Sequence, residues 1–310
     1  MCFTANFWAL FVTGLANGFI YALIALGYTL VYGVLQLINF AHSEVFMSGG
    51  FAGYFILNAA IGTSTTTPSG AASVGLLAVG IIGGGIAGSI VAFLLERVAY
   101  RPLRRRHAPR LAFLISAIGA SYFMYNIAGK EFGRFPITIP TPYTNGTVFH
   151  LFNAQVQTYY VIIAVAAMIM LVFLDRVVAL TRLGRGIRAV AQDADTASLM
   201  GVNIDSTIAK TFMLGGFLAG AAGFLFGLSS GVVYTMGFTP ALKAFTAAVL
   251  GGIGNVRGAV LGGLLLGVVE SLGVACIQTS WRDVISFGVL VAVLLIRPTG
   301  ILGERLGRSA

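Results

Sequence analysis

Leu183-Gly-Arg-Gly-Ile-Arg-Ala-Val-Ala-Gln-Asp-Ala-Asp-Thr-Ala-Ser-Leu-Met-Gly-Val-Asn-Ile-Asp-Ser-Thr-Ile-Ala-Lys210 is a long polar stretch in an otherwise apolar chain, and its reading decides the rest. Apolar runs of membrane-spanning length flank it on both sides. A loop that only joins two spans needs a few residues, whereas this one has 28, many of them strong helix formers. Two readings fit it. One is a helical surface held at the membrane face for a soluble partner. The other is an amphipathic helix lying on lipid.

Working outward, the 310 residues are 57% hydrophobic and 9% charged. Soluble domains carry roughly 25% charged residues, so this chain cannot cover a water-facing surface. The expected class is all-α: one polytopic transmembrane helical bundle over 1–310, with 183–210 standing out at one face. The 41 glycines suit such a bundle, because lipid supplies no hydrophobic drive between helices and close backbone contact must substitute. Gly14/Gly18, Gly80/Gly84/Gly88, Gly216/Gly220, Gly223/Gly227 and Gly258/Gly262 are spaced as packing seams. The N-terminus has no basic leader and its apolar run continues beyond thirty residues, which reads as a first span rather than a cleaved signal.

Spans need about 20 apolar residues. Eight to nine are expected, at 7–34, 45–62, 72–96, 111–129, 156–178, 211–233, 243–254, 258–276 and 283–297. The 243–254 segment is too short to cross alone and ends in the turn-rich Gly251-Gly-Ile-Gly-Asn-Val-Arg-Gly258, so it is read as a broken or re-entrant helix. Asn39-Phe-Ala-His-Ser-Glu44 is a second interruption, and it gathers polar groups at a helix start. With nine crossings, 15 of the 19 cations fall on one face and only Lys130, Arg134, Lys243 and Arg282 on the other. By the positive-inside bias, the face holding Arg97, Arg101, Arg104, Arg105, Arg106, Arg110 and the 183–210 segment is cytoplasmic. The net charge of +9 then reports topology and contact with anionic membrane lipid, not nucleic acid. The 130–155 loop reads as an extended external lid, either facing a solute-binding protein or connecting passively. The stretch 63–70 reads as an external turn.

No phosphate-binding loop, His-Glu-x-x-His or Gly-x-Ser-x-Gly occurs. His42, His107 and His150 are scattered, and Cys2 and Cys276 make no metal-ligand spacing. An enzyme, a bound cofactor and a metal site are therefore not expected. Two glutamates interrupt apolar stretches. A charge at bilayer depth must face a partner or water, so Glu44 and Glu270 are each either functional or structural, Glu44 near the interface and Glu270 between helices. Asp195-Thr-Ala-Ser-Leu-Met-Gly201 describes a short helix that turns sharply. Its small residues would let it nest in a groove on another protein, Gly201 would end it at the C′ position, and Arg185 and Arg188 would pair with acids on the partner.

That motif resembles, in relaxed form, the Glu-Ala-Ala-x-x-x-Gly coupling motif of ABC importer permeases. Gly18-Phe-Ile-Tyr-Ala-Leu-Ile-Ala-Leu-Gly-Tyr-Thr-Leu-Val-Tyr-Gly33, Ile38-Asn-Phe-Ala-His-Ser-Glu44, Ile115-Ser-Ala-Ile-Gly119, Lys243-Ala-Phe-Thr-Ala-Ala-Val-Leu-Gly-Gly-Ile-Gly254 and Arg297-Pro-Thr-Gly-Ile-Leu-Gly303 resemble blocks of high-affinity branched-chain amino acid permeases. Ser43 stands where that family usually has Gly, and Asp195-Thr196 replaces Glu-Ala. The resemblance implies a permease of the bacterial inner membrane. It would pair with a second, homologous permease, two cytoplasmic ATPase subunits that use the ATP, and a periplasmic solute-binding protein. Branched-chain amino acids are the expected cargo, with urea, short amides or other small solutes as the alternative. It makes Arg188, Asp195, Thr196, Ala197 and Gly201 the coupling residues. The breaks near 39–50 and 243–254 would flank the path, with Asn39, His42, Glu44, Lys243, Thr246, Gly251 and Gly252 as candidate path residues. The two breaks echo each other in sequence and run oppositely across the membrane, as an inverted repeat or by chance. A channel or secondary carrier is the rival without ATPase partners.

Overall fold

In the computed structural model the structure describes residues 2–62, 70–143, 146–151, 154–275, 278–297 and 299–303. Most of the 63–70 turn, Cys276, Arg305 and Arg308 lie outside them. In chain order the helices are α1 (Cys2–Leu35), α2 (His42–Ile61), α3 (Gly70–Leu95), a π-helical turn (Glu96–Tyr100) that runs straight into α4 (Arg101–Arg105), and α5 (Arg110–Glu131). A hairpin of β1 (Thr147–Leu151) and β2 (Ala154–Gln157) follows. Then come α6 (Thr158–Leu180), α7 (Arg182–Gln192), α8 (Ala194–Leu199), α9 (Ile204–Ser230), α10 (Phe238–Gly251), α11 (Val256–Gly273), and α12 (Arg282–Ile296) behind a short 3-10 turn. Eight helices among the described residues are long and apolar enough to cross a membrane, and α10 is a shorter apolar helix. This is a polytopic helical bundle.

Helix starts follow local chemistry. Thr181, Asp193, Asn203 and Asn255 each cap a helix by accepting from backbone N–H groups one turn in. Pro240 sits in the first turn of α10, where a missing N–H costs nothing. That is why α10 begins at Phe238 rather than at 243. The Asn203 cap likewise starts α9 at Ile204, seven residues before the expected span, so 204–210 belongs to a crossing helix and not to the polar segment. The 130–155 loop is extended as expected and adds the hairpin. Its Ile137 pairs with Val232 just beyond α9.

The glycine seams hold the bundle together. A β-carbon at Gly14 would lie 2.9 Å from the Gly267 carbonyl oxygen, and one at Gly18 would lie 2.9 Å from the Leu264 Cα, so α1 and α11 touch backbone to backbone. Gly84 and Gly88 of α3 meet Gly216 and Gly220 of α9 in the same way. The interior is built on α1, α2, α9 and α10. The outermost helix, α12, buries only Ser286 among its described residues. Crossing in alternation, the helices collect Arg101, Arg104, Arg105, α7 and α8 at one end of the bundle, which we call the arginine-rich end. The hairpin lies at the other.

Candidate docking surface and translocation path

Half of the polar segment is not a free surface. In α7, Gly184, Gly186, Ile187 and Val190 are buried, while Arg185, Arg188 and Gln192 face out. The bare backbone of Gly184 lets α7 lie directly on the Val178 carbonyl of α6. The Arg188 guanidinium donates to that same carbonyl and braces α7 on α6.

Asp193, in extended conformation, breaks the helix and restarts it. Its carboxylate accepts from the Asp195 N–H at 2.9 Å, the Thr196 N–H at 3.1 Å and the Thr196 hydroxyl at 2.7 Å. The Thr196 hydroxyl and these backbone donors hold the Asp193 carboxyl below its ordinary range. The cap is therefore in place at neutral pH and is lost only as pH falls through that lowered value. At the far end Gly201 takes φ +85°. The Val202 N–H reaches the Ala197 carbonyl and the Gly201 N–H the Ser198 carbonyl, both at 3.0 Å, a Schellman closure that suits a residue without a β-carbon.

The short helix and sharp turn are thus present, but two of the expected contact residues are occupied. Ala197 is 4% exposed and packs into the chain's own core, because the helix must bury one face against α9. Thr196 is engaged in the cap. What faces outward is Asp195, Ser198, and above all Leu199 and Met200, 87% and 81% exposed. Asp193, Leu199 and Met200 escaped the sequence reading. The signal was there, as a capping acid before the helix and two large apolar residues before its terminal glycine. Asp193→Ala is expected to loosen the start of α8, seen as faster amide exchange at Asp195 and Thr196 with the rest of the bundle unchanged.

The two breaks meet at their helix starts. A β-carbon at Gly237, which precedes α10, would strike the Ser43 carbonyl in the first turn of α2. Around this junction Asn39 Oδ1 accepts from the Ala41 N–H at 3.0 Å. The buried His42 ring lies against Gly27 and 4.7 Å from the Tyr28 ring, with Nε2 unpartnered. Glu44 points the other way. Its Oε1 accepts from the Ser43 and Ser121 hydroxyls at 3.1 Å each, and its Oε2 is buried without a partner.

The later candidates do not join this group. Lys243, expected at the external face, is buried and ion-paired to Glu270 at 2.9 Å and Asp283 at 2.8 Å. Glu270 also faces Arg282 at 3.4 Å and accepts from the Ser286 hydroxyl at 3.0 Å and the Tyr21 hydroxyl at 3.4 Å. It ties together α1, α10, α11 and α12. Thr246 donates to the Leu242 carbonyl of its own helix. Gly251 packs on Gly258, and Gly252, at φ +104°, lies against Gly303. There the chain's closing block adds backbone bonds from Ile301 to Leu250 and from Leu302 to Gly251. These two glycines serve a seam between α10, α11 and the tail.

Residues 10–294 match the family described as branched-chain amino acid transport system / permease component. The chain belongs to this family. The permease is 42% identical to the high-affinity branched-chain amino acid transport system permease protein LivH of Salmonella typhimurium over 295 residues, covering 94% of each chain. It is 42% identical to the corresponding protein BraD of Pseudomonas aeruginosa over 298 residues, again 94% of each. A probable branched-chain amino acid transport permease protein LivH from Methanocaldococcus jannaschii is 28% identical over 304 residues, 91% of this chain and 88% of that one. No solved structure gives a significant match. The matched region takes in both helix breaks, the Lys243–Glu270 network and α8. The permease is a multi-pass membrane protein.

Proposed function

We propose that this permease is the membrane-spanning subunit of an ATP-driven importer of branched-chain amino acids in the bacterial inner membrane. It pairs with a second homologous permease. The arginine-rich end is cytoplasmic and carries two ATPase subunits; the hairpin end is periplasmic and receives a solute-binding protein. The chain itself binds no ATP and performs no chemistry. ATP-driven movement of α8 rocks the permease pair and opens the path to one side at a time. The names of the LivH and BraD relatives favour branched-chain amino acids over urea or short amides.

The observation that carries this reading is the bare Leu199–Met200 pair on a helix locked at both ends. A surface helix meant for solvent has no use for two large apolar side chains side by side. A rigid helix offering them is suited to a groove in a partner. The replacement Leu199→Glu with Met200→Glu leaves the buried face untouched. It is expected to abolish co-purification of the ATPase subunits and to reduce import by more than about tenfold, with the thermal stability of the bundle unchanged. Retention of both import and co-purification would remove α8 as the docking element.

Two helix starts meeting at Ser43 and Gly237 support a path there. Helix N-termini offer N–H groups and partial positive charge to a carboxylate.

A further inference from the structure

The foot of α9 is bound to a distant helix by charge. Asp205, in its first turn, accepts from Arg101 at 2.8 Å, Arg104 at 2.6 Å and Arg105 at 3.0 Å, all three on α4. Only the turn around Gly201 separates Asp205 from α8. Arg104 also pairs at 3.0 Å with Glu96, which is fully buried and opens the π-helical turn. Tyr100, which closes that turn, is 2% exposed and donates its hydroxyl to Asn39 Oδ1 at 2.6 Å. The same oxygen accepts from the Ala41 N–H, the residue on which α2 begins. Two sets of short polar contacts, Asp205–Arg104–Glu96 and Tyr100–Asn39–Ala41, are therefore joined through the backbone of the π-turn, between the foot of α9 just past α8 and the break at the start of α2.

Two features set this series apart from an ordinary clamp on helix ends. A buried carboxylate such as Glu96 is a costly way to hold two helices, since apolar packing often does as well. The π-turn adds one residue to its helix and so rotates everything beyond it by about 100°. Its span carries Glu96 and Tyr100 at its two ends, and the arginines follow at once. The direction in which Tyr100 presents its hydroxyl and the direction in which the arginines present their guanidinium groups are set by this single turn.

We infer that Asp205, Arg104, Glu96, Tyr100 and Asn39 form a positioning relay that couples displacement of α8 to the 36–41 segment and the start of α2. The inference rests on the docking role proposed for α8. They act by holding the break in register with the foot of α9. Tyr100→Phe removes only the hydroxyl and keeps the ring contacts with Phe113 and Phe212.

The complex of this chain with its second permease, ATPase subunits and solute-binding protein is reconstituted in liposomes. Leucine imported per ATP hydrolysed is then measured. Tyr100→Phe and Asp205→Asn are each expected to lower that ratio by about fivefold or more, with ATPase subunits still bound, and Asp205→Glu to restore most of it. An unchanged ratio in Tyr100→Phe overturns the relay while leaving the docking of α8 intact. A proportional fall in import and hydrolysis also overturns it, because loss of folded protein alone has that effect. If wild-type chain fails to retain the ATPase subunits, both the relay and the docking role fall.

Discussion

Gly220→Leu is expected to leave no folded bundle. Gly220 stands where α2, α3 and α9 touch without side chains between them. A β-carbon there would lie 3.0 Å from the Gly88 Cα and closer still to the Gly84 carbonyl oxygen. One at Gly84 would in turn lie 2.9 Å from the Gly49 carbonyl oxygen. The three atoms nearest a β-carbon at Gly220 are all backbone, so none of them can rotate out of the way. Overpacking an ordinary core costs about 1–3 kcal/mol, because side chains and local backbone yield. Here three helices must separate along their length, and in lipid that contact is what holds them together. The loss should exceed about 3 kcal/mol and appear as absence of a monodisperse peak in detergent. Gly75→Leu is the control, since nothing lies within 4 Å of a β-carbon at Gly75. Equal melting temperatures for the two variants would mean that the three-helix junction is looser than its geometry implies.

The second large effect is expected at Glu270. Replacing it with leucine leaves the buried Lys243 ammonium with only Asp283, whose side chain is 56% exposed, strips Tyr21 of its acceptor and leaves Ser286 the Arg282 carbonyl alone. Breaking one side of a buried ion pair typically costs about 3–5 kcal/mol. Replacing both partners with apolar residues of similar shape is often close to neutral, so Lys243→Met with Glu270→Leu should recover most of the loss. Thermal unfolding of the two single variants and the double variant in one detergent reads this directly. If Glu270→Leu alone melts like the wild type, the network carries no structural load.

Much of this architecture was legible along the chain, and particular elements say why. A backbone in lipid has no water to bond, so it must be helical or buried. An apolar run of sufficient length is therefore a span wherever it occurs, and α1, α3 and α6 lie close to their expected bounds. The break before Val45 and the short helix ending at Gly251 announced themselves by polar and glycine residues. Gly201 announced the end of α8, since a left-handed C′ position favours glycine. The spacing of Gly14 with Gly18 and of Gly216 with Gly220 marked helix faces that must lie against something.

What they lie against was not legible. Lys243 and Glu270 are 27 residues apart, Asp205 and Arg104 about a hundred, Tyr100 and Asn39 sixty-one. Each of these side chains has no assigned role until its partner is known. Ala197 looked like a contact residue because its smallness suits a groove; which way it faces depends on where α9 stands. His42 and Glu44, two residues apart, diverge to α1 and α5. Capping, proline, glycine and hydropathy act within a turn or two of chain, so the spans and their breaks could be read from the residues, although α9 and α10 begin earlier than their apolar runs. Only the tertiary structure decided which faces pair, which charges cancel and which apolar residues are left bare, because those depend on neighbours brought together from opposite ends of the chain.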